Sequence, residues 1–434
     1  MHTTRHFTLT LIAASLMLIT PYAQADTRAQ QQPRQQSESG ITEDNAQMRT
    51  AAVVTPHTPI TAHQILSRPT ASAVVELAYS PRENALFVSA PDWQDESRSR
   101  LLRLAPDSLD IQAEVPLDGK GFGVALDDAA NRLYLTQGFN GAISVIDTQG
   151  NQLIKRIPVM QKVNFEQLYQ EHGLSQTRRD FLLEQLKKWN VVDDFPYKLR
   201  ELAIDAGQHR LFAPGLGLGI DSVLFVVDTK TLELEKILPG FGYNAVGIVA
   251  DPARHRIFVS NMQGQIITLD SRTLDITGTL EVEADQLLNL AYDPATNRLF
   301  GVDQGIDRDE WRNNHLEREY AHRSPGHRVF VLDADSGKTL AVMPTDEVPI
   351  GLNLDTQRNR LYVTNRGGVR PDSAQGSVTI YDTEAYQPLQ TLPLPPHPNS
   401  LALDATDNIL YVTVKNDGDS AKAGKPENVV RIQF

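Results

Sequence analysis

The sequence contains no cysteine among its 434 residues. Disulfide bonds and thiol chemistry are therefore excluded, and a domain of several hundred residues does not need such cross-links to build a stable core. The motifs GxSxG, HExxH and the P-loop are absent as well, which removes the common sequence signatures of serine hydrolases, zinc proteases and nucleoside triphosphatases. These motifs therefore assign no catalytic residue.

The sequence also has no long hydrophobic run apart from one near its start. Residues 1–25 have the pattern of an export signal, with Arg5 in the basic region, Leu9 to Ile19 as the apolar region and Ala23 to Ala25 as the cleavage site. This apolar region is shorter than the roughly 20 residues that a spanning helix needs. We therefore expect a cleaved signal peptide and a soluble, periplasmic protein. Residues 26–58 are rich in Gln, Ser, Thr and Pro and are expected to form a flexible linker.

An excess of positive charge is missing too, because the formal net charge is −13. Broad attraction to phosphate backbones depends on many Lys and Arg side chains acting together. An acidic protein is therefore not expected to bind nucleic acid over its whole surface, although a local basic patch remains compatible with this composition.

What the sequence does have is one short unit that occurs seven times. In each copy an apolar stretch ends in an Asp-type residue, and an aromatic residue follows seven positions later. The Asp-type residues are Ser80, Asp127, Asp205, Asp251, Asp293, Asp355 and Asp404. The aromatic residues are Phe87, Tyr134, Phe212, Phe258, Phe300, Tyr362 and Tyr411. A β-rich repeat at this spacing indicates a propeller, with one blade for each copy.

The predicted fold is an all-β, seven-bladed propeller of four-stranded antiparallel blades, spanning residues 59–434. Third strands are recognised as apolar runs that end in Asp, such as Val378 to Asp382. After Tyr411 only one more strand is present, Val429 to Gln433, so the last blade lacks its outer strand. We expect His63 to Ser67 to supply that strand and to close the ring without an open edge.

Two further features of the repeat have structural interpretations. The residue three positions before the Asp-type residue is aliphatic in every blade, as blade-to-blade packing requires. The Asp-type residues and the Asp residues that end the third strands are expected to form turns by accepting hydrogen bonds from nearby backbone amides. We assign neither set to catalysis.

These repeats resemble those of YVTN-type β-propellers. One repeat reads NRLYVTN (Asn359–Asn365) and leads into the third strand VTIYDT (Val378–Thr383). The stretches His397–Asn416 and Val429–Phe434 resemble the YncE family in particular. The resemblance covers the whole predicted propeller and implies an exported, seven-bladed protein without an established enzymatic activity, of a family often described as DNA-binding.

The long connections between strands all fall on one face of the predicted propeller. If the inner strand runs downward, the connections from second to third strand and from one blade to the next lie on the top, whereas the bottom turns are short. Variable loops on one face of a rigid scaffold usually carry binding sites. We therefore expect the top face to be the functional side. The long top segments are 89–99, 161–197, 303–327, 365–376 and 415–427.

The longest insert, 161–197, lies between blades 2 and 3 and is predicted to form a helical pair, with Ser175 as a possible N-cap. Most of its apolar groups are expected to pack on the propeller, and docking of an envelope protein is the alternative. A second insert places His315, Glu319 and His322 on one helical face. This spacing is compatible with zinc, but the Arg and Glu content favours a solvated helix.

The register of the repeat also identifies the mouth of the central channel. The positions four residues before the Asp-type residue are Glu76, Gly123, Glu201, Gly247, Asn289, Gly351 and Ser400, and those one residue earlier include Phe122, Arg200 and Asn399. One interpretation is a solvated rim in which Arg200 pairs with Glu76 or Glu201. The other is a site for a small ligand or for a hard cation such as calcium, with oxygen ligands from Glu76, Glu201 and Asn289.

The function predicted from these features is that of a periplasmic binding protein that uses its top face and channel mouth, with single-stranded DNA as a candidate ligand. Aromatic side chains would stack on bases, and Arg and Lys side chains would contact phosphates. No catalytic residue, metal or cofactor is assigned. The alternatives are a metal-dependent enzyme similar to lactonases or quinoproteins, and an envelope docking scaffold. The candidate binding residues are Trp93, Phe122, Arg200, Glu76, Glu201, Tyr243, Asn289, Trp311, Arg366 and Asn399.

Overall fold

The computed structural model of the protein describes residues 62–188, 190–284, 287–305, 324–369 and 372–434. In this part of the chain the strands form seven four-stranded antiparallel blades arranged as a propeller, which confirms the predicted fold class. The predicted signal peptide (1–25) and linker (26–58) lie outside the described residues.

The first half of the chain contains blades 1 to 3 and one insert. A strand that precedes the first blade is β1 (Gln64–Ala71). Blade 1 contains β2 (Leu77–Ser80), β3 (Ala85–Ala90), β4 (Arg100–Leu104) and β5 (Ile111–Pro116). Blade 2 contains β6 (Gly121–Asp127), β7 (Arg132–Gln137), β8 (Ala142–Asp147) and β9 (Gln152–Pro158). The insert contains β10 (Val163–Asn164), α1 (Phe165–Glu171), α2 (Gln176–Lys188) and β11 (Asp193–Asp194). Blade 3 contains β12 (Tyr197–Leu199), β13 (Ala203–Asp205), β14 (Arg210–Gly217), β15 (Val223–Asp228) and β16 (Glu233–Leu238).

The second half contains blades 4 to 7. Blade 4 contains β17 (Ile248–Asp251), β18 (Arg256–Ser260), β19 (Gln265–Asp270) and β20 (Ile276–Glu281). Blade 5 contains β21 (Leu287–Asp293), β22 (Arg298–Asp303), β23 (Arg328–Asp333) and β24 (Thr339–Pro344). Blade 6 contains β25 (Pro349–Asp355), β26 (Arg360–Asn365), β27 (Gly376–Asp382) and β28 (Gln387–Leu394). Blade 7 contains β29 (Pro398–Asp404), β30 (Ile409–Val414), α3 (Gly418–Lys422) and β31 (Glu427–Gln433).

The ring closes in blade 7, as the sequence predicts. β1 pairs antiparallel with β31 and forms the outer strand of that blade, from Gln64 opposite Gln433 to Ala71 opposite Glu427. The strand is longer than the predicted His63 to Ser67, since the pairing continues to the start of β31. Both ends of the propeller are therefore held in one sheet.

The core lies between adjacent blades. The seven repeat aromatics are fully buried there, so the spacing that reveals the repeat in the sequence is the spacing of the inter-blade packing. The Asp residues form the expected turns. The Oδ1 atom of Asp355 accepts hydrogen bonds from the backbone N–H groups of Gln357 and Arg358, and that of Asp382 accepts from Glu384 and Ala385.

The insert between blades 2 and 3 forms the predicted pair of helices. The side chain of Asn164 caps α1 by accepting from the backbone N–H of Gln167 at 3.1 Å. The buried apolar residues of both helices pack together with Ile220 of blade 3, and the Tyr169 hydroxyl donates to the carbonyl oxygen of Leu218 at 3.0 Å. The insert is thus attached to the top of blade 3, and most of its apolar groups serve this attachment.

Inner strands contain a β-bulge close to the channel. In blade 6, Leu352 pairs with Val363 and Pro349 with Asn365, so two residues of β25 lie opposite Thr364 alone. The same irregularity occurs in blades 2, 5 and 7, and in blade 3 the inner strand is split into β12 and β13. A bulge bends a strand and re-aims its side chains.

The threonine of the YVTN motif holds this bulge in place. The Oγ1 atom of Thr364 accepts a hydrogen bond from the N–H of Gly351 at 2.9 Å and donates to the carbonyl oxygen of Asn399, in the next blade, at 2.7 Å. Thr136 and Thr413 make the equivalent pairs of bonds in blades 2 and 7. This residue therefore links the bulge of its own blade to the inner strand of the next.

Replacing Thr364 by valine is expected to lower the free energy of unfolding by about 1–3 kcal/mol, because the isosteric side chain leaves the buried N–H of Gly351 without an acceptor. Chemical denaturation monitored by circular dichroism measures this loss. The Thr364→Ser variant keeps the hydroxyl and should lose only about 1 kcal/mol for the missing methyl group. Equal stability of the valine variant and the wild type would contradict the assignment.

Candidate functional site at the channel mouth

The bulges of the inner strands bring most of the predicted channel-mouth residues together. They enclose a cavity of about 160 Å³ on the axis of the propeller. Its polar lining residues are Glu76, Arg200, Glu201, Asn289, Asn399 and Ser400. Its lining also includes aliphatic residues three positions before the Asp-type residue, namely Leu77, Val124, Ile248, Leu290, Leu352 and Leu401. The bulge turns the polar side chains of several blades toward one point, above a ring that packs the blades.

Arg200 is the most unusual of these side chains. The residue is 6% exposed, yet its Nε atom has no hydrogen-bond acceptor among the described residues. It lies 3.4 Å from Oε1 of Glu201, close enough for an ion pair but without hydrogen-bond alignment, and the guanidinium carbon lies 6.0 Å from the centre of the Phe122 ring. Of the two pairings that the sequence left open, the structure contains the pair of Arg200 with Glu201.

Glu76 and Glu201 lie next to each other beside this arginine. Glu76 is 7% exposed and accepts a hydrogen bond from the N–H of Val124 at 3.1 Å. Burial raises the pKa of the Glu76 carboxyl well above its usual value, and Glu201 raises it further through its charge and a hydrogen bond. Arg200 and the Val124 amide act in the opposite direction but do not outweigh burial. Burial and the neighbouring acid therefore both favour the protonated form of Glu76.

The remaining polar residues are held by the backbone of adjacent blades. The side-chain amide of Asn289 donates to the carbonyl oxygen of Ile350 at 2.6 Å. The amide of Asn399 donates to the carbonyl oxygen of Val75 at 3.3 Å, and its Oδ1 accepts from Arg366 at 2.5 Å. These bonds fix the two asparagines at the rim, so the mouth is built before any ligand arrives.

A second group of residues lies beside the mouth, on the top of blades 1 to 3. Three of its aromatic rings each have a cation close by: the Lys198 ammonium is 5.0 Å from the Phe139 ring centre, Lys162 is 5.4 Å from Phe195, and Arg200 is 6.0 Å from Phe122. The Trp93 and Phe139 rings meet edge to face with centres 6.0 Å apart. We call this surface the cation–aromatic strip; its members are Trp93, Lys120, Phe122, Phe139, Lys162, Phe195, Lys198 and Arg200.

The lysines of the strip share one counter-charge. Asp194 lies 3.2 Å from the Lys198 ammonium and 3.9 Å from that of Lys162. Burial lowers the pKa of Lys198, Asp194 opposes this shift, and the charges of Lys162 and Lys120 lower it further. Two of the three lysines therefore share one carboxylate, and the charge of the third, Lys120, acts on Lys198 as well.

Other predicted binding residues lie apart from this surface. Tyr243 is in a top loop, but its side chain is 2% exposed and therefore offers no ring for stacking. Trp311 lies outside the described residues, as do His315, Glu319 and His322 of the second insert. Arg98 and Arg100, further phosphate candidates, are bound within their own loop, Arg98 to Asp92 at 2.9 Å and Arg100 to backbone carbonyls.

Sequence reasoning missed Lys162, Phe195 and Lys198 as functional candidates. These residues lie at the two ends of the insert, outside the repeat, so no register assigns them a position. A signal was nevertheless available, because the insert returns to the propeller immediately before Arg200. Its closing residues must therefore lie beside the mouth.

Among the described residues no group of three or more His, Asp or Glu side chains is arranged to hold a metal ion. The calcium interpretation, with two glutamates and one asparagine, stays a prediction. A wider depression of about 670 Å³ lies off the axis, near blades 5 and 6. Two of its polar side chains are already bonded, since Ser377 donates to Asp346 at 2.5 Å and His327 accepts from the N–H of Val348 at 3.2 Å. The axial mouth is therefore the better candidate site.

Comparison with known proteins identifies relatives for most of the chain. The "uncharacterized protein YncE" of Salmonella typhimurium is 26% identical over 379 residues, covering 86% of this chain and 92% of the relative. The protein of the same name from Escherichia coli K12 is 26% identical over 247 residues, 56% of this chain and 62% of the relative. No family model matches the chain.

None of the helices in the described residues is long and apolar enough to cross a membrane.

Proposed function

We propose that this chain, a seven-bladed propeller homologous to the proteins named YncE, is a binding protein that takes single-stranded DNA on its top face. The observation that carries the proposal is the cation–aromatic strip. Proteins that bind single strands without reading sequence combine cations for the phosphates with aromatic rings for the bases. The strip offers both within one surface.

Location supports the same proposal. The export pattern in residues 1–25 favours a periplasmic protein, and the strip lies on the face that carries the long connections. It also adjoins the channel mouth through Phe122 and Arg200. A strand lying along the top of blades 1 to 3 would thus pass from partly exposed rings to a buried polar pocket.

The acidic net charge of the protein is compatible with binding of single-stranded DNA. Stacking on an aromatic side chain contributes on the order of 1–3 kcal/mol per base and does not depend on global charge. The lysines of the strip supply phosphate contacts where the strand would run. Two or three stacked bases with a few neutralised phosphates are sufficient for specific attachment to one face of an acidic protein.

We expect the Trp93→Ala and Phe139→Ala variants each to lose about 1–3 kcal/mol of affinity for a fluorescently labelled oligo-dT, measured by anisotropy at two salt concentrations. The matched control is Tyr386→Ala, which removes an aromatic ring paired with a cation, Arg298 at 5.4 Å, near the bottom face. That control should bind as the wild type does. Unchanged affinity in both top-face variants would overturn the proposal.

Lys162 gives an independent test of the phosphate contacts. Its side chain is 60% exposed, so its replacement by alanine should leave the fold intact. We expect the slope of log affinity against log salt to become shallower by about 0.7, the value for one lost contact to a single strand. A slope that does not change would show that phosphates do not pass this residue.

A further inference from the structure

The axial cavity contains a guanidinium group and two carboxyl groups, which bind ligand groups of opposite charge. The guanidinium of Arg200, in a residue more than nine-tenths buried, needs acceptor oxygens, and its Nε has none among the described residues. The carboxyl groups of Glu76 and Glu201 lie beside it and can accept hydrogen bonds from a donor group of a ligand. A buried charged group without hydrogen bonds is costly, so its presence in a cavity points to a ligand that completes it.

We propose that the channel mouth binds the head group of a free α-amino acid, with its carboxylate on Arg200 and its ammonium on Glu76 and Glu201. An arginine fork matches a carboxylate in geometry and charge, and paired carboxylates match an ammonium group. This site shares Arg200 and Phe122 with the cation–aromatic strip, but the inference does not rest on the binding of a single strand there.

Charge balance favours a zwitterion over a simple ion. When Glu76 holds a proton, which its raised pKa favours, the two carboxyl groups carry one negative charge between them and Arg200 carries one positive charge. A lone cation or a lone anion would each leave an uncompensated charge in a mostly buried cavity. A zwitterion adds no net charge and places each of its charged groups against the opposite sign.

The size of the cavity agrees with a head group and not with a large ligand. A volume of about 160 Å³ corresponds to about five water molecules at their share of liquid volume, whereas drug-sized ligands need several hundred Å³. An amino-acid head group has five non-hydrogen atoms. Its side chain would then point out of the mouth, toward the ring of Phe122 at the rim.

The charged groups that face Glu76 are few. Glu201 and Arg200 come from the segment between β12 and β13, and β6 contributes the N–H of Val124. The lining residues from β17, β21, β25 and β29 are uncharged, and the next cation outward, Arg366, is held on Asn399. Glu76 and Glu201 are therefore the two carboxyl groups of the lining that are available to the ligand ammonium.

The test uses isothermal titration calorimetry of the intact protein with L-alanine, L-phenylalanine, ethylamine and propionate at about pH 7. We expect saturable binding of the amino acids and at least tenfold weaker binding of ethylamine and propionate, each of which lacks one charged group. Equal binding of either half-molecule would overturn the zwitterion proposal. Absence of saturable binding of both amino acids at about 50 mM would also overturn it.

Variants separate the two ends of the ligand. Arg200→Gln and Glu201→Gln should each weaken L-alanine binding tenfold or more. The control Glu235→Gln changes a carboxylate that pairs with Arg210 away from the mouth and should bind normally. Thermal unfolding verifies that each variant is folded, and unchanged binding in both mouth variants would refute the assignment. The oligo-dT titration is read separately, so failure of DNA binding leaves this result intact.

Discussion

Replacing Glu427 by alanine is expected to lower the free energy of unfolding by about 3–5 kcal/mol, the loss seen when one partner of a buried ion pair is removed. Glu427 is 3% exposed, and its Oε2 lies 3.8 Å from the Lys415 ammonium. The same carboxylate accepts hydrogen bonds from the backbone N–H groups of Val74 at 2.8 Å and Asn416 at 3.1 Å. Lys415 in turn donates to the carbonyl oxygen of Val74 at 2.6 Å.

The effect is large because these bonds close the ring. Val74 lies in the chain between β1, in blade 7, and β2, in blade 1. The hydrogen bonds of Lys415 and Glu427 to Val74 therefore hold the segment that joins the first blade to the last. The matched control in the same loop is Lys422→Ala, which breaks an exposed pair with Asp419. It should change stability by less than about 0.5 kcal/mol. If Glu427→Ala and Lys422→Ala unfold at the same denaturant concentration, the closure does not depend on this pair.

Replacing Gly123 by alanine is expected to cost about 3 kcal/mol of stability and to abolish ligand binding at the channel mouth. A Cβ atom at this position would lie 1.8 Å from the carbonyl oxygen of Arg200, which is backbone and can move only with its whole strand. The strand shift would break the hydrogen bond from Thr136 to that carbonyl and displace the Arg200 side chain. Overpacking against backbone is among the more costly core substitutions.

The control for this glycine is Gly278, in the outer strand β20, where an added Cβ meets no atom within 4 Å. Gly278→Ala should be neutral or should stabilise by about 0.4–1 kcal/mol, since it restricts the unfolded chain. Denaturation curves of the two alanine variants give the comparison. A Gly123→Ala protein as stable as the wild type would mean that the inner strands near the axis can separate, which their hydrogen bonds argue against.

The fold was predictable because its signals are local and repeated. An Asp that forms a turn and an aromatic that packs between blades occur at a fixed distance in every copy, and seven copies make that distance visible. The closure by β1 followed from counting strands after Tyr411. The mouth residues followed from the same register, since they lie at a constant offset from the Asp-type residue.

The rest of the site depends on relations that sequence does not display. The bulge opposite Thr364 exists only in the pairing of two strands, so the role of the YVTN threonine was not visible beforehand. Lys198 and Phe139 are distant in the chain and meet because the insert folds back onto blade 2. Tyr243 has the composition of a binding residue, but tertiary packing buries it. Geometry between segments, more than residue type, decides these cases.

The closure described above also fixes where the two chain ends leave the propeller. Phe434 exchanges backbone and side-chain hydrogen bonds with Asn408, in the short turn at the bottom of blade 7, and the N–H of His63 donates to the carbonyl oxygen of Gln433. Both ends therefore emerge together on the side opposite the mouth. A protein immobilised on a sensor surface through Phe434 will present the cation–aromatic strip and the axial cavity to the solution.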